Sequence, residues 1–176
     1  FGAYQESGIV IPCLLDGKPV NYTAMMFLDI EPPITAGREI WGFPKRWGQP
    51  NLRVEKDTLT GTLAYAGQRV AMGTMVYKHE TLCDDPVACA KKLAKTAVNL
   101  KLIPCVTGKP RIAELVAFEM TEITVKGFWR GRARLHLVPH VNAPVADLPV
   151  RRVIEGQHII ADLSLPYGRV VHDYLC

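Results

Sequence analysis

Apolar and polar residues alternate over short runs along most of this chain, which is the pattern of half-buried β-strands. Residues 8–14 and 19–28 form two such runs, and Asp16-Gly17 between them tolerates the positive φ of a tight turn. We therefore predict a β-hairpin there. Three more alternating runs between residues 50 and 78 predict adjacent antiparallel strands.

Two segments depart from this alternation and predict helices. Residues 33–40 follow a proline pair that ends the preceding strand, and a proline stands in the first turn. Residues 86–95 form the better helix, with Asp84 or Asp85 as the N-cap and Pro86 in the first turn. Strands resume over residues 98–104 and over a long stretch, 111–125, and two or three more complete the chain.

Many short strands with few helices predict a mainly β (α+β) fold, an antiparallel barrel or sandwich, rather than a parallel α/β sheet. No repeat or linker interrupts residues 1–176, so we predict one domain. The composition, with 48% hydrophobic and 22% charged residues, suits a globular core. No apolar run approaches the ~20 residues of a membrane span, and a cytoplasmic setting is expected.

The net charge and the spacing of the cysteines each argue against a class of function. The net charge of +4 is modest and no nucleic-acid motif accompanies it, so nucleic acid is not an expected partner. The five cysteines form neither an even set nor a C-x-x-C pair, and we expect reduced thiols rather than disulfides or a zinc site. The five cysteines are Cys13, Cys83, Cys89, Cys105 and Cys176. No metal and no cofactor are expected.

Lys45 is the main candidate for a catalytic nucleophile, because Pro44 precedes it and Trp41, Phe43 and Trp47 lie close in sequence. A lysine attacks a carbonyl only as the neutral amine, and apolar walls favour that form over the ammonium. The competing interpretation is a solvated lysine whose stem lies on a tryptophan. Local composition alone favours the second interpretation.

A series of short segments changes that balance, because in this order they resemble the acetoacetate decarboxylase family. The segments are Tyr4-Gln5-Glu6-Ser7-Gly8, Glu31-Pro32, Gly37-Arg38-Glu39, Phe43-Pro44-Lys45, Asp57 to Leu63, Arg69-Val70-Ala71, Tyr77-Lys78-His79, Leu100 to Pro104, Pro110-Arg111-Ile112, Asp147 to Val150 and Asp173-Tyr174-Leu175. They extend over essentially the whole chain. The resemblance implies an antiparallel β-barrel of the acetoacetate decarboxylase type with a lysine in its interior.

The resemblance also implies residue roles. Lys45 is then the lysine that forms a Schiff base with substrate, and Glu6 handles protons or orients the substrate. Arg46 stands where the family commonly has a second lysine, and its contribution to activating Lys45 is left open. Arg38 and Glu39 are expected either to contact the substrate or to support the pocket through ion pairs to other strands. Candidates for lining the pocket or binding substrate are Phe43, Phe27, Met25 and Met72.

The implied activity is the decarboxylation of acetoacetate or a related β-keto acid to a ketone and carbon dioxide. Two alternatives stay open: a Schiff-base aldolase or dehydratase of the same superfamily, and a small-molecule-binding barrel without turnover. The family also has an N-terminal segment that supplies an arginine and a glutamate. We expect that segment to lie outside residues 1–176, on the same or a separate chain, and we expect a homo-oligomer.

Overall fold

The computed structural model describes residues 1–176 and is mainly β. The strands are β1 (Glu6–Leu15), β2 (Lys18–Leu28), β3 (Lys45–Trp47), β4 (Gln49–Glu55), β5 (Thr58–Tyr65), β6 (Gln68–Val76), β7 (Glu80–Thr81), β8 (Ala97–Pro104), β9 (Pro110–Phe118), β10 (Thr121–Gly131), β11 (Ala133–Leu137), β12 (Gly156–Ser164) and β13 (Arg169–Asp173). The helices are α1 (Glu31–Ala36), a π-helical turn (Gly37–Trp41), α2 (Pro86–Leu93) and a 3-10 turn (Val145–Asp147).

The predicted N-terminal hairpin is present. β1 and β2 pair antiparallel, and both Asp16 and Gly17 have positive φ, 50° and 76°, as a two-residue hairpin turn requires. β4, β5 and β6 form the predicted antiparallel series. The α2 prediction is also confirmed, with Asp85 as the N-cap whose carboxylate accepts a hydrogen bond from the Val87 N–H at 2.9 Å.

The strands form three open sheets, so the prediction of a mainly β fold is confirmed, while closure into a barrel is not seen. The sheets have the orders β1-β2-β8-β9-β13 with β3 also on β2, β12-β10-β7, and β11-β6-β5-β4. β2 pairs in parallel with both β3 and β8. β3 runs parallel to β2 because α1 and the π-helical turn between them form a crossover connection that returns the chain in the same direction.

The prediction of a single long strand over residues 111–125 was wrong. β9 ends at Phe118, and β10 begins at Thr121 in a different sheet. Glu122 has a positive φ of 51°, which marks the change of direction. The apolar alternation continues on both sides of this break, so a pattern of side chains cannot show that the strand changes partners.

Cys83 and Cys89 are joined as a disulfide, which contradicts the expectation of five reduced thiols. Their Cα atoms are 6.0 Å apart because Cys83 precedes the N-cap of α2 and Cys89 lies in the helix itself. The remaining three cysteines are free. No group of three or more histidine, cysteine or carboxylate side chains is placed to hold a metal ion, and no helix is long and apolar enough to cross a membrane.

β2 is buried on both faces and separates two parts of the core. Met26 and Leu28 pack with Ile34, Phe43 and Phe118 on one side. Phe27, between them in sequence, packs with Leu63, Val70, Ala143 and Val145 on the other. β3 pairs with this buried end of β2, and Met26 is the register partner of Lys45. Lys45 therefore pairs with the buried end of β2.

Candidate active site

Lys45 is buried at the first position of β3, with 6% of its surface exposed. Its backbone N–H donates to the Phe43 carbonyl at 2.7 Å, which closes a tight turn around Pro44. Because proline fixes φ at that centre, the turn has a defined shape. It brings the Phe43 ring to 4.9 Å from the Lys45 Nζ.

The carboxylate of Glu6 lies 3.2 Å from the Lys45 Nζ, and the two side chains are 33% and 8% exposed. These residues are far apart in sequence and come together because Glu6 and Lys45 both begin strands that pair with the end of β2. Burial disfavours the ammonium form of a lysine, whereas a neighbouring carboxylate favours it. The site therefore holds two opposing influences on the same amine.

Gln5 fixes the start of β1 and with it the position of Glu6. Its backbone N–H donates to the Asp29 carboxylate at 2.9 Å, and its side-chain oxygen accepts from the Leu52 N–H at 2.6 Å. The residue before Glu6 is thus attached both to the end of β2 and to β4. Sequence reasoning assigned Gln5 no role, although it stands in the matching run that begins at Tyr4.

The aromatic surroundings of the amine differ from those expected. Phe43 and Tyr4 are the rings near Nζ, at 4.9 and 5.9 Å. Trp47 is 52% exposed, and Trp41 stacks on Tyr167 with ring centroids 6.0 Å apart. Burial and the Glu6 carboxylate both raise the pKa of the Tyr4 phenol, so this hydroxyl stays protonated and able to donate.

Arg38 and Arg46 both donate to backbone carbonyl groups. The Arg38 guanidinium donates to the backbone carbonyl of Lys45 at 3.3 Å, so it holds the strand rather than the amine. Arg46 is exposed and donates to the Asn142 carbonyl at 3.4 Å. Glu39 is exposed on the π-helical turn, and neither Glu39 nor Arg38 forms an ion pair, so the ion-pair alternative does not hold for either.

Two neighbouring cavities lie beside β1; Glu6 borders one of them, and Lys45 lines neither. A groove of about 430 Å³ is lined by Glu6 together with polar side chains such as Gln5, Arg134 and Glu155. An apolar cavity of about 230 Å³ adjoins it, sharing Ser7 and Leu63 as wall residues.

The predicted lining residues divide between these cavities and the core. Met25 and Phe27 line the apolar cavity. Met72 lines neither cavity, and its sulfur lies 3.8 Å from an Arg69 nitrogen. Phe43 packs against Phe118 at 5.0 Å and forms the wall beside Lys45. Alternation along β2 puts Met25 and Phe27 on the same face of that strand, whereas Met72 lies on β6.

The site thus combines a buried amine with a carboxylate that borders a groove, and comparison with known proteins identifies the family. The sequence model described as "Acetoacetate decarboxylase (ADC)" matches residues 1–175. The chain is 56% identical over 175 residues to an acetoacetate decarboxylase of Acidiphilium cryptum, covering 99% of this chain and 71% of that protein. The corresponding protein of Burkholderia multivorans is 53% identical, with 99% and 70% covered.

The fold agrees with this match. The crystal structure of acetoacetate decarboxylase from Legionella pneumophila superposes with a TM-score of 0.96 at 45% identity, covering 100% of this chain and 70% of that one. The chain therefore belongs to the acetoacetate decarboxylase family, and it spans about 70% of the length of these relatives.

Proposed function

We propose that this chain decarboxylates acetoacetate to acetone and carbon dioxide through a Schiff base on Lys45. The observation that carries the proposal is the Lys45 amine itself, 6% exposed as a residue and 3.2 Å from a carboxylate, in a chain 56% identical to an acetoacetate decarboxylase. Burial of a lysine is rare unless its charge is paired or its chemistry is used. Here the charge is paired with the Glu6 carboxylate.

The reaction begins when the amine loses its proton, and the Glu6 carboxylate is the acceptor within reach. The lone pair of the neutral amine adds to the ketone carbon of the substrate. Glu6 returns its proton to the hydroxyl of the resulting carbinolamine, which then loses water to leave a protonated imine. The carbon–nitrogen double bond forms as the carbon–oxygen bond breaks, and the positive charge stays on the nitrogen.

That cation is the electron sink for decarboxylation. As the bond between the α-carbon and the carboxylate breaks, its electron pair moves to the iminium nitrogen and gives an enamine with carbon dioxide. Protonation of the enamine carbon and hydrolysis of the imine release acetone and regenerate the amine. The Phe43 ring excludes water on one side, and this favours a step in which opposite charges disappear.

Intact mass after borohydride reduction in the presence of acetoacetate tests the proposal. We expect a covalent adduct on Lys45 and release of carbon dioxide from unreduced samples. Lys45→Arg is expected to abolish the adduct, and Lys78→Arg is the matched control, because Lys78 is exposed and lies over Trp129 at 4.6 Å. No adduct with the parent chain would reject the proposal. An adduct without carbon dioxide would favour condensation or dehydration instead.

The proposal extends to assembly and setting. We propose a homo-oligomer that acts in the cytoplasm. Fractionation of the source cells tests the cytoplasmic setting. Sedimentation analysis of the purified protein tests the oligomer.

A further inference from the structure

Gly37 is a glycine whose backbone conformation does not call for one. It has φ −62° and ψ −40°, the right-handed helical region that every residue adopts readily. Within a helix glycine is less favourable than alanine, because it loses more conformational freedom on folding. The residue is also buried, at the junction of α1 and the π-helical turn. Its presence therefore requires an explanation other than backbone geometry.

The missing side chain of Gly37 leaves room for the stem of Lys45. A Cβ placed on Gly37 would lie 2.6 Å from the Lys45 Cδ, 2.9 Å from its Cε and 3.2 Å from its Nζ. The first two distances are shorter than carbon atoms tolerate without movement. All three nearest atoms belong to one side chain, that of the lysine.

Gly42, at the other end of the π-helical turn, shows how different this is from an ordinary structural glycine. Gly42 has a positive φ of 72°, and a Cβ there would meet the backbone of Lys101 at 2.6 Å. Both its conformation and its contacts with rigid backbone demand glycine. At Gly37 only a flexible side chain stands in the way, so an added methyl group would move the lysine rather than the fold.

We propose that Gly37 is a positioning residue for Lys45: the absent side chain lets the lysine stem lie against the π-helical turn, so that its amine reaches Glu6. On the far side the amine faces the Phe43 ring at 4.9 Å, and the Arg38 guanidinium holds the Lys45 carbonyl from the same π-helical turn. Short π-helical turns are frequent at functional sites, and this one carries both the space and the anchor. The inference rests on the proposed function of Lys45.

Gly37→Ala tests this role by adding the single carbon that competes with the lysine stem. We expect the variant to fold and the rate of borohydride-trapped adduct to fall by about 10- to 100-fold, the scale of loss when a reacting group is displaced by about 1 Å. The loss should appear in kcat more than in KM. Ile40→Ala is the matched control, because Ile40 lies on the same π-helical turn with 39% of its surface exposed. That variant should retain the parent rate.

A thermal-denaturation cycle separates the packing from the chemistry. In a Lys45→Ala background the space beside Gly37 is empty, so Gly37→Ala should raise Tm as a favourable helix substitution. In the parent background the same change should lower Tm or raise it by less. If Gly37→Ala does not fold by itself, a folded double variant supports the clash, and an unfolded double variant overturns it.

The outcomes distinguish this inference from the proposed function. Absence of an adduct in the parent chain would reject the function of Lys45, while the denaturation cycle would still decide whether the two side chains compete for space. A folded Gly37→Ala with the parent rate of adduct formation would overturn the positioning role. Equal shifts of Tm in the two backgrounds would overturn it as well.

Discussion

Replacing Glu6 by glutamine removes the negative charge nearest to the Lys45 amine while nearly keeping the shape of the side chain. The carboxylate favours the ammonium form from a distance of 3.2 Å. Without it the amine should lose its proton more easily. We therefore expect imine formation to persist at more acidic pH in Glu6→Gln than in the parent chain.

The size of the effect follows from the geometry of the pair. At 3.2 Å two unit charges interact by about 1.3 kcal/mol in water and by about 5 kcal/mol at an effective dielectric constant of about 20. Glu6 is 33% exposed, so solvent screening brings the interaction toward the lower limit. We expect the interaction between the two charges to be about 1.4–2.7 kcal/mol.

The assay is the fraction of chain trapped as a borohydride-stable adduct after a short, fixed exposure to acetoacetate across a pH series. The midpoint should move toward acid in Glu6→Gln, while the maximum amount of adduct and carbon dioxide release both fall because the proton acceptor is gone. Glu55→Gln is the control, since this exposed carboxylate on β4 pairs with Arg53. An unchanged midpoint, or one that moves toward alkaline pH, would refute the electrostatic reasoning.

Three further predictions concern Lys45, Arg46 and His158. Lys45→Arg should abolish adduct formation by mass spectrometry because guanidinium stays protonated, and an adduct that survives would move the nucleophile to another lysine such as Lys78. Arg46→Gln should shift the acidic limb of the pH–rate profile by well under about one unit, since its guanidinium points to the Asn142 carbonyl; a shift of about two units would contradict this. Burial and Lys78 lower the pKa of His158, so the unfolded chain takes up a proton that the folded chain resists, and stability should fall as pH drops below about 6.5. Urea denaturation should show a smaller acid-side decline in His158→Gln, and an identical decline would count against the assignment.

Local order along the chain was within reach of the sequence because short-range rules determine it. The hairpin at Asp16-Gly17 follows from a turn that few other residues allow, and α2 follows from its N-cap and first-turn proline. Lys45 was identified by its place in a matching motif, and the opposite directions of Lys45 and Arg46 follow from the alternation of an extended strand.

Contacts between distant segments required the tertiary structure. The three open sheets, the break after Phe118 and the Cys83–Cys89 bond depend on which strands or thiols meet, and side-chain patterns are the same whichever partner is chosen. The aromatic wall of the site came from Tyr4 and Phe43 rather than from Trp47, for the same reason.

The sequence by itself determined the family, the reactive lysine and most of the strands, because those depend on residue identity and local conformation. Only the tertiary structure placed the Glu6 carboxylate 3.2 Å from Lys45 and put Gly37 against the lysine stem. Both contacts join segments that meet through β2 and the crossover after it. Their geometry is decided by sheet pairing and by the space that packing leaves, and neither is a property of any single stretch of chain.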